Sequence, residues 1–139
     1  MTQRTDPQPT ADVEPFTCIG GCHCGAVAFE VDLGECVEVS RCNCSICSMS
    51  GYLHVIVERD RFRLLSGRDQ LAEYRFNTQT ARHLFCRRCG VKSFYVPRSH
   101  PDGISVNLSC IDLAPEQRVR ITDFDGRHWE ENIARLRDE

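Results

Sequence analysis

Short hydrophobic runs follow one another along most of the chain, and turn residues separate them. We predict eight strands from this pattern, at residues 26–31, 36–40, 52–57, 62–65, 71–76, 82–85, 93–96 and 104–108. Turn signals such as Ser66-Gly67 and Pro101-Asp102-Gly103 lie between the runs. Regularly spaced short strands of this kind indicate a mainly β protein, built as a sandwich or a barrel.

One segment has the character of an α-helix. Residues 129–137 (WEENIARLR) place apolar positions at helical spacing, so we predict one short C-terminal helix there. The polar residues 1–15 lack the apolar stretch of a signal peptide, and we expect them to form a disordered tail. The remainder of the 139 residues, 16–139, is expected to form one domain.

Charge and hydropathy narrow the classes of partner. The net charge of -3 argues against a nucleic-acid binder, which needs a basic excess to neutralise phosphates. No apolar run is long enough to span a bilayer, so we expect no membrane partner. Ten cysteines would indicate disulfides in a secreted chain, but nothing in this sequence directs export. We therefore expect a cytoplasmic protein whose reduced cysteines bind metal or take part in catalysis.

Seven of the ten cysteines fall into three clusters that lie far apart in the sequence. The clusters read GCHCG at 21–25, CNCSIC at 42–47 and FCRRCG at 85–90. Cysteines two or three residues apart are typical ligands of zinc, which prefers four tetrahedral donors. A glycine directly after a cysteine, as at Gly25 and Gly90, permits the tight turn that converging sulfurs require. The clusters therefore predict metal binding.

The number of sulfurs in each cluster suggests how the ions are shared. The first and third clusters supply two cysteines each, which together make one closed four-sulfur site. The middle cluster then offers three sulfurs and leaves one coordination position open to water or substrate. Spacing alone does not fix this pairing, because the triplet could share an ion with Cys86 and Cys89 instead. Four thiolates could also hold an iron–sulfur cluster.

The three remaining cysteines, Cys18, Cys36 and Cys110, are isolated in the sequence. Cys36 and Cys110 lie in or near predicted strands. Because a free cysteine in a core behaves as a small hydrophobic residue, we expect none of the three to bind metal.

Taken together, these motifs resemble the glutathione-dependent formaldehyde-activating enzymes, a family that also contains centromere protein V. The resemblance covers roughly residues 16–131, and it includes SGRDQLAEYRF before the third cluster and FDGRHWE near the end. It implies a fold similar to the Mss4-like arrangement of antiparallel sheets around zinc sites.

The resemblance also implies two zinc ions per chain and an activity. The structural zinc would be held by Cys22, Cys24, Cys86 and Cys89, and the catalytic zinc by Cys42, Cys44 and Cys47. The implied activity is that of a carbon–sulfur lyase acting on a thiol–aldehyde adduct such as S-(hydroxymethyl)glutathione. Its partners would be a small thiol such as glutathione and an aldehyde such as formaldehyde.

Candidate substrate contacts lie outside the clusters, at Ser45, His54, Tyr95 and Arg98. His54 follows the triplet by seven residues and is either an acid–base group or a core histidine with satisfied hydrogen bonds. Tyr95 either lines a pocket or packs against other side chains. Ser45 either donates a hydrogen bond to a thiolate or is an ordinary turn residue. Residues 75–98 carry six basic side chains and no acid, which either attract an anionic thiol or form a solvated face.

Two other functions fit the same residues. The chain could be a non-catalytic zinc module that binds a small thiol or a protein partner, or an enzyme acting on a different thiol or aldehyde. The open triplet favours a reactive site, because a structural zinc needs no vacant position. The acidic balance disfavours a chromatin role of the kind that centromere protein V suggests.

Overall fold

The computed structural model describes residues 16–75, 82–97 and 102–125. The strands are β1 (Phe16–Gly21), β2 (Ala28–Leu33), β3 (Cys36–Cys42), β4 (Leu53–Glu58), β5 (Phe62–Ser66), β6 (Leu71–Tyr74), β7 (His83–Cys86), β8 (Phe94–Tyr95), β9 (Gly103–Asn107), β10 (Ile111–Asp112) and β11 (Arg118–Phe124). One α-helix, α1 (Ser45–Ser50), occurs within these ranges, together with three short 3-10 turns at Arg59–Arg61, Arg68–Gln70 and Leu108–Cys110.

The strands form three sheets. A four-stranded sheet has the order β10-β1-β2-β5, a five-stranded sheet has the order β11-β3-β4-β9-β8, and β6 pairs with β7. Neighbouring strands are antiparallel except for β3 and β11, which run parallel along their whole length. This parallel pair brings Phe124, at the end of β11, beside Cys42, at the end of β3.

The hydrophobic core lies between the two larger sheets. Alternate residues of β2 are buried, among them Phe29 and Val31, and the same alternation buries Val37 and Val39 of β3. Phe29 packs across the sheets against Phe94, with ring centroids 6.2 Å apart. Burial of each such side chain contributes about 1.5–3 kcal/mol of hydrophobic free energy, so this layer holds the sheets together.

The mainly β character predicted from the sequence is confirmed. All eight predicted strands are present with small shifts at their ends. Three strands were not predicted, namely β1, β10 and β11. The expected tail at 1–15 and the expected helix at 129–137 lie outside the described residues, as does the end of the predicted strand 71–76.

The helix α1 was not predicted either. Its sequence, SICSMS, contains no Ala and no charged residue and therefore has weak intrinsic helix propensity. It ends at Gly51, which adopts a left-handed conformation with φ of 65° and donates its backbone N–H to the carbonyl groups of Cys47 and Ser48. The helix thus forms a single compact turn between β3 and β4.

Candidate metal centres and active site

Four cysteine sulfurs from two distant turns come together at one end of the molecule. Cys22 and Cys24 follow β1, Cys86 ends β7, and Cys89 lies in the turn after it. Their sulfurs all lie within 4.8 Å of one another. The Sγ atom of Cys24 is 3.7 Å from the Sγ atoms of both Cys22 and Cys86. Tetrahedral zinc with Zn–S bonds of about 2.3 Å requires sulfurs about 3.8 Å apart, so this set fits a closed metal site.

Backbone N–H groups point at the sulfurs of this four-sulfur group. Val27 donates to the Sγ atom of Cys22 at 3.3 Å, and Arg88 donates to that of Cys86 at 3.4 Å. The N–H of Val91 lowers the pKa of Cys89 to about 6. Such donors stabilise thiolates, the form in which cysteine binds metal. Gly90, with φ of 80°, makes the turn that allows this approach.

The other three clustered cysteines form a separate group, the triplet Cys42, Cys44 and Cys47. Cys42 is the last residue of β3, Cys44 caps the start of α1, and Cys47 lies inside that helix. Their sulfurs also lie within 4.8 Å of one another. The structure does not bring Cys86 or Cys89 into this group, so the alternative pairing that spacing left open does not occur.

The triplet sulfurs are close enough to shift one another's pKa values strongly. Hydrogen bonds from the thiols of Cys42 and Cys47 lower the pKa of Cys44 to about 2. The pKa of Cys47 is raised, because its thiol donates to Cys42 and Cys44 and is also desolvated by burial. Three thiolates this close together repel one another unless a cation lies between them. The donor set therefore fits a divalent metal ion, whose binding would deprotonate all three.

A cleft opens beside the triplet. Its volume is about 710 Å³, and Cys42 and Cys47 form part of its wall together with Arg41, Asn43, Ser48, Gly51, Tyr52, Leu53, Asp123, Phe124 and Asp125. The volume falls within the range typical of small-molecule sites, about 300–1,000 Å³. A ligand in this cleft therefore lies next to two of the three triplet residues, Cys42 and Cys47.

Charged groups of both signs line the rim of this cleft. The parallel register of β3 and β11 places Asp123 beside Arg41, and the Arg41 Nε atom donates to Asp123 Oδ1 at 2.7 Å. The side-chain amide of Asn43 donates to Asp125 at 3.1 Å. A ligand that carries both a cationic and an anionic group would find a partner for each.

Behind the triplet, on the side of the core, lies a buried polar cluster centred on His54. The Nε2 atom of His54 is 3.1 Å from the Cys47 sulfur. Its Nδ1 atom is 3.0 Å from the Ser105 hydroxyl and 3.2 Å from the Tyr95 hydroxyl. Burial, together with the charge of Lys92, lowers the pKa of His54 to about 4. The imidazole is therefore neutral at physiological pH.

Lys92 and His83 complete this polar cluster. The Lys92 ammonium lies 2.6 Å from Nδ1 of His83 and 4.1 Å from the centre of the Tyr95 ring. The His83 ring stacks on the same tyrosine at 4.7 Å. Burial lowers the pKa of Lys92 to about 8 and that of His83 to about 4. Lys92 thus places a positive charge close to the triplet thiols, and their negative charge offsets part of the lowering of its pKa that burial causes.

The four candidate contact residues lie in different places. His54 and Tyr95 come together beside Cys47, whereas Ser45 is exposed at the first position of α1. Arg98 lies outside the described residues. Sequence analysis missed Ser105, which is fully buried and bonded to His54. The available signal was a polar residue in the middle of an apolar strand run.

The basic stretch at 75–98 does not form one anion-binding face in the part that the structure describes. Arg75 and Arg82 both pair with Glu73 of β6. Arg87 donates to the backbone carbonyl of Leu71, and Lys92 points into the buried cluster. Their positive charges are therefore engaged by different partners.

The isolated cysteines join neither metal group. Cys18 is buried and donates to the side chain of Gln117 at 3.3 Å. Cys110 is half-buried, and burial raises its pKa to about 11. Cys36 begins β3 as predicted but is exposed, so it is not the core residue that its strand position indicated.

Comparison with known proteins identifies the family. The family model described as glutathione-dependent formaldehyde-activating enzyme matches residues 17–125. The chain belongs to this family. A solved structure of a Rhodobacter sphaeroides protein from a structural genomics programme is similar, with 32% sequence identity and a TM-score of 0.63. The match covers 75% of this chain and 99% of that one.

Membership in the formaldehyde-activating family indicates what kind of chemistry the two sulfur groups serve. It suggests an enzyme of formaldehyde-activating type that works with glutathione. Each sulfur group could hold one metal ion. In the part of the chain that the structure describes, no helix has the length and apolarity needed to cross a bilayer.

Proposed function

We propose that the protein is a zinc-dependent carbon–sulfur lyase that joins formaldehyde to glutathione and separates them again. The observation that carries the proposal is the difference between the two sulfur groups. One has four sulfurs and is complete, whereas the other has three sulfurs and borders an open cleft. A site built for stability alone needs no open face.

In this proposal Cys22, Cys24, Cys86 and Cys89 hold a structural zinc, and Cys42, Cys44 and Cys47 hold a catalytic one. Zinc fits both groups because its preferred donors are thiolates in tetrahedral array. When bound by the triplet, zinc supplies a vacant position that favours the thiolate form of an incoming thiol. Because metal-binding cysteines must stay reduced, the proposal places the protein in the cytoplasm.

The cleft supports glutathione as the thiol. Glutathione carries an ammonium group and two carboxylates, and the rim of the cleft offers Arg41 for a carboxylate and Asp123 or Asp125 for the ammonium. These groups would hold the peptide while its cysteine reaches toward Cys42 and Cys47. Fixing thiol and aldehyde in one cleft removes much of the entropic cost of their encounter.

The reaction balances without an oxidant or reductant. The sulfur of glutathione attacks the carbonyl carbon of formaldehyde, and a carbon–sulfur bond forms as the C=O π electrons move to oxygen. The proton lost by the thiol ends on that oxygen, which gives S-(hydroxymethyl)glutathione. In the reverse direction the carbon–sulfur bond breaks and the same proton returns to sulfur.

Three measurements test the proposal. Metal analysis of the reduced protein should give two zinc ions per chain, and calorimetric titration should show glutathione binding. Exchange NMR with labelled formaldehyde should show interconversion with S-(hydroxymethyl)glutathione faster than the uncatalysed rate. The Cys47→Ser variant should lose this acceleration, whereas Cys36→Ser, which alters an exposed cysteine outside both groups, should keep it.

The alternatives predict different results. Two zinc ions without glutathione binding would favour a non-catalytic module that binds a protein. Glutathione binding without acceleration would favour a module for small thiols or an enzyme for another aldehyde. A chain that folds fully without any metal would contradict the proposal altogether.

A further inference from the structure

His54 lies between a triplet sulfur and two hydroxyl groups, and its ring is almost completely buried. Its two ring nitrogens contact different kinds of partner. Nε2 faces the Cys47 sulfur at 3.1 Å, and Nδ1 faces the hydroxyls of Ser105 and Tyr95 at 3.0 and 3.2 Å. The exposed fractions of His54, Tyr95 and Ser105 are only 5%, 5% and 0%. Every polar atom of this ring therefore has a protein partner.

These partners determine which nitrogen carries the proton. A cysteine sulfur that binds metal is a thiolate, which can accept a hydrogen bond but has none to donate. An unprotonated Nε2 would direct its lone pair at that negative sulfur. At Nδ1, by contrast, either hydroxyl can donate a proton to the ring. Both ring nitrogens have a suitable hydrogen-bond partner when Nε2 carries the hydrogen and Nδ1 accepts a hydrogen bond from a hydroxyl group.

We propose that His54 is a positioning residue that donates a hydrogen bond from Nε2 to the Cys47 sulfur; this rests on the metal proposed at the triplet. The bond withdraws electron density from one of the three thiolates. Three thiolates on a divalent ion give a net negative site, which weakens Lewis acidity. A donor aimed at Cys47 offsets part of that charge and makes Cys47 a weaker electron donor to the metal than it would be without this bond.

The surroundings hold the histidine in this orientation. The ring of His83 stacks on Tyr95, and the ammonium of Lys92 lies over the same ring and contacts His83. The backbone carbonyl of Lys92 accepts a hydrogen bond from the side chain of Asn107 on β9. The His54 ring also contacts the ring of Tyr52 at 4.7 Å. Because His54, Tyr95, His83 and Asn107 lie on four different strands, the donor is held by the rigid part of the fold.

The first test observes the proton itself. Long-range proton–nitrogen NMR of the zinc-loaded protein should show one histidine with hydrogen on Nε2 and an unprotonated Nδ1, and its signals should vanish in His54→Gln. A His54 ring with hydrogen only on Nδ1, or with nitrogen shifts that show direct metal coordination, would overturn the proposal.

The second test measures the effect on the metal ligands. In the cobalt-substituted protein, His54→Leu should move the sulfur-to-cobalt charge-transfer band to lower energy, because the sulfur electrons lose a stabilising donor. His54→Gln should restore the band, since its amide nitrogen can donate in place of Nε2.

Tyr52→Phe is the matched control. It removes a buried hydrogen bond in the same cluster, from the Tyr52 hydroxyl to the Ser105 carbonyl at 2.7 Å, without touching a nitrogen of His54. Its band should stay in place, whereas equal shifts in both variants would overturn the proposal. One metal ion per chain would contradict the catalytic zinc as well, but two ions with an unmoved band in His54→Leu would contradict only the role of His54.

Discussion

Arg41 and Asp123 lie side by side on two parallel strands, and their side chains form an ion pair of 2.7 Å at the rim of the cleft. The two residues are separated by 82 positions in the sequence. Both side chains are largely exposed, at 58% and 75%. Because exposed ion pairs add little to stability, loss of this pair should leave the fold nearly as stable as before.

The first prediction concerns this pair. Replacing Arg41 by Gln should raise the KM for glutathione several-fold and change kcat little, because the guanidinium would bind the substrate equally in the ground state and the transition state. The melting temperature should stay close to that of the wild type. Steady-state kinetics and a thermal scan measure both quantities.

Arg63→Gln is the matched control for that prediction. Arg63 also forms exposed ion pairs, with Glu30 and Asp32, but these lie on the four-stranded sheet away from the cleft. The KM of the Arg63→Gln variant for glutathione should equal that of the wild type. Equal changes in KM for both variants would show that the cleft charges have no specific role.

The second prediction separates the two metal groups. Cys86→Ser should prevent stable folding, because the four-sulfur group ties the turn after β1 to the turn after β7. Structural zinc sites contribute about 10–16 kcal/mol, which is as large as the whole stability of a small domain. Cys44→Ser should instead leave the fold intact, lower the zinc content from two ions to one, and abolish activity.

Circular dichroism with metal analysis distinguishes these results. A folded Cys86→Ser protein that still binds two ions would contradict the structural role. Full activity and unchanged zinc content in Cys44→Ser would contradict the catalytic one.

The third prediction concerns pH. The pKa of His83 falls from 6.5 to about 4 on folding, because burial disfavours the charged ring. Between these values the unfolded chain binds a proton that the native protein does not. The free energy of unfolding should therefore decrease as the pH is lowered from 6.5 toward 4. Denaturant titrations at several pH values measure this slope.

His83→Phe isolates the contribution of this ring. Phe can retain the stacking on Tyr95 but has no group that titrates, so the slope in this range should become shallower than in the wild type. Loss of metal in acid affects both proteins alike, and the comparison removes it. An identical slope in the two proteins would contradict the prediction.

The sequence carried enough information for most of the strands and for the three cysteine clusters, but spacing alone left the pairing of the clusters open. Alternation predicted β2 and β3 because one face of each strand is buried. Counting ligands suggested a division into four and three sulfurs, the family resemblance implied the same division, and the structure groups the same residues. The strand pattern depends on local spacing, which a single sequence displays. The count of sulfurs has meaning because zinc prefers four ligands.

The cleft could not be predicted in this way. It depends on β11 lying parallel to β3, and β11 is exposed at all but its last residue, so no burial pattern marks it. The buried polar cluster around His54 was also not predicted, because it contains a charged residue that sequence patterns place on the surface. Lys92 has the sequence appearance of a solvated basic residue, and only the packing of β8 and β9 shows that its charge lies inside the protein.

The two metal groups differ in when the growing chain can complete them. All three triplet ligands fall within a six-residue segment, so this group is present soon after its segment leaves the ribosome. The contact between Cys24 and Cys86 spans 62 positions, and closing so long a loop costs entropy that only the assembled strands can offset. If each group binds zinc as proposed, the triplet can therefore bind its ion early in biosynthesis, whereas the four-sulfur group can bind its ion only after the strands that carry its two turns have come together.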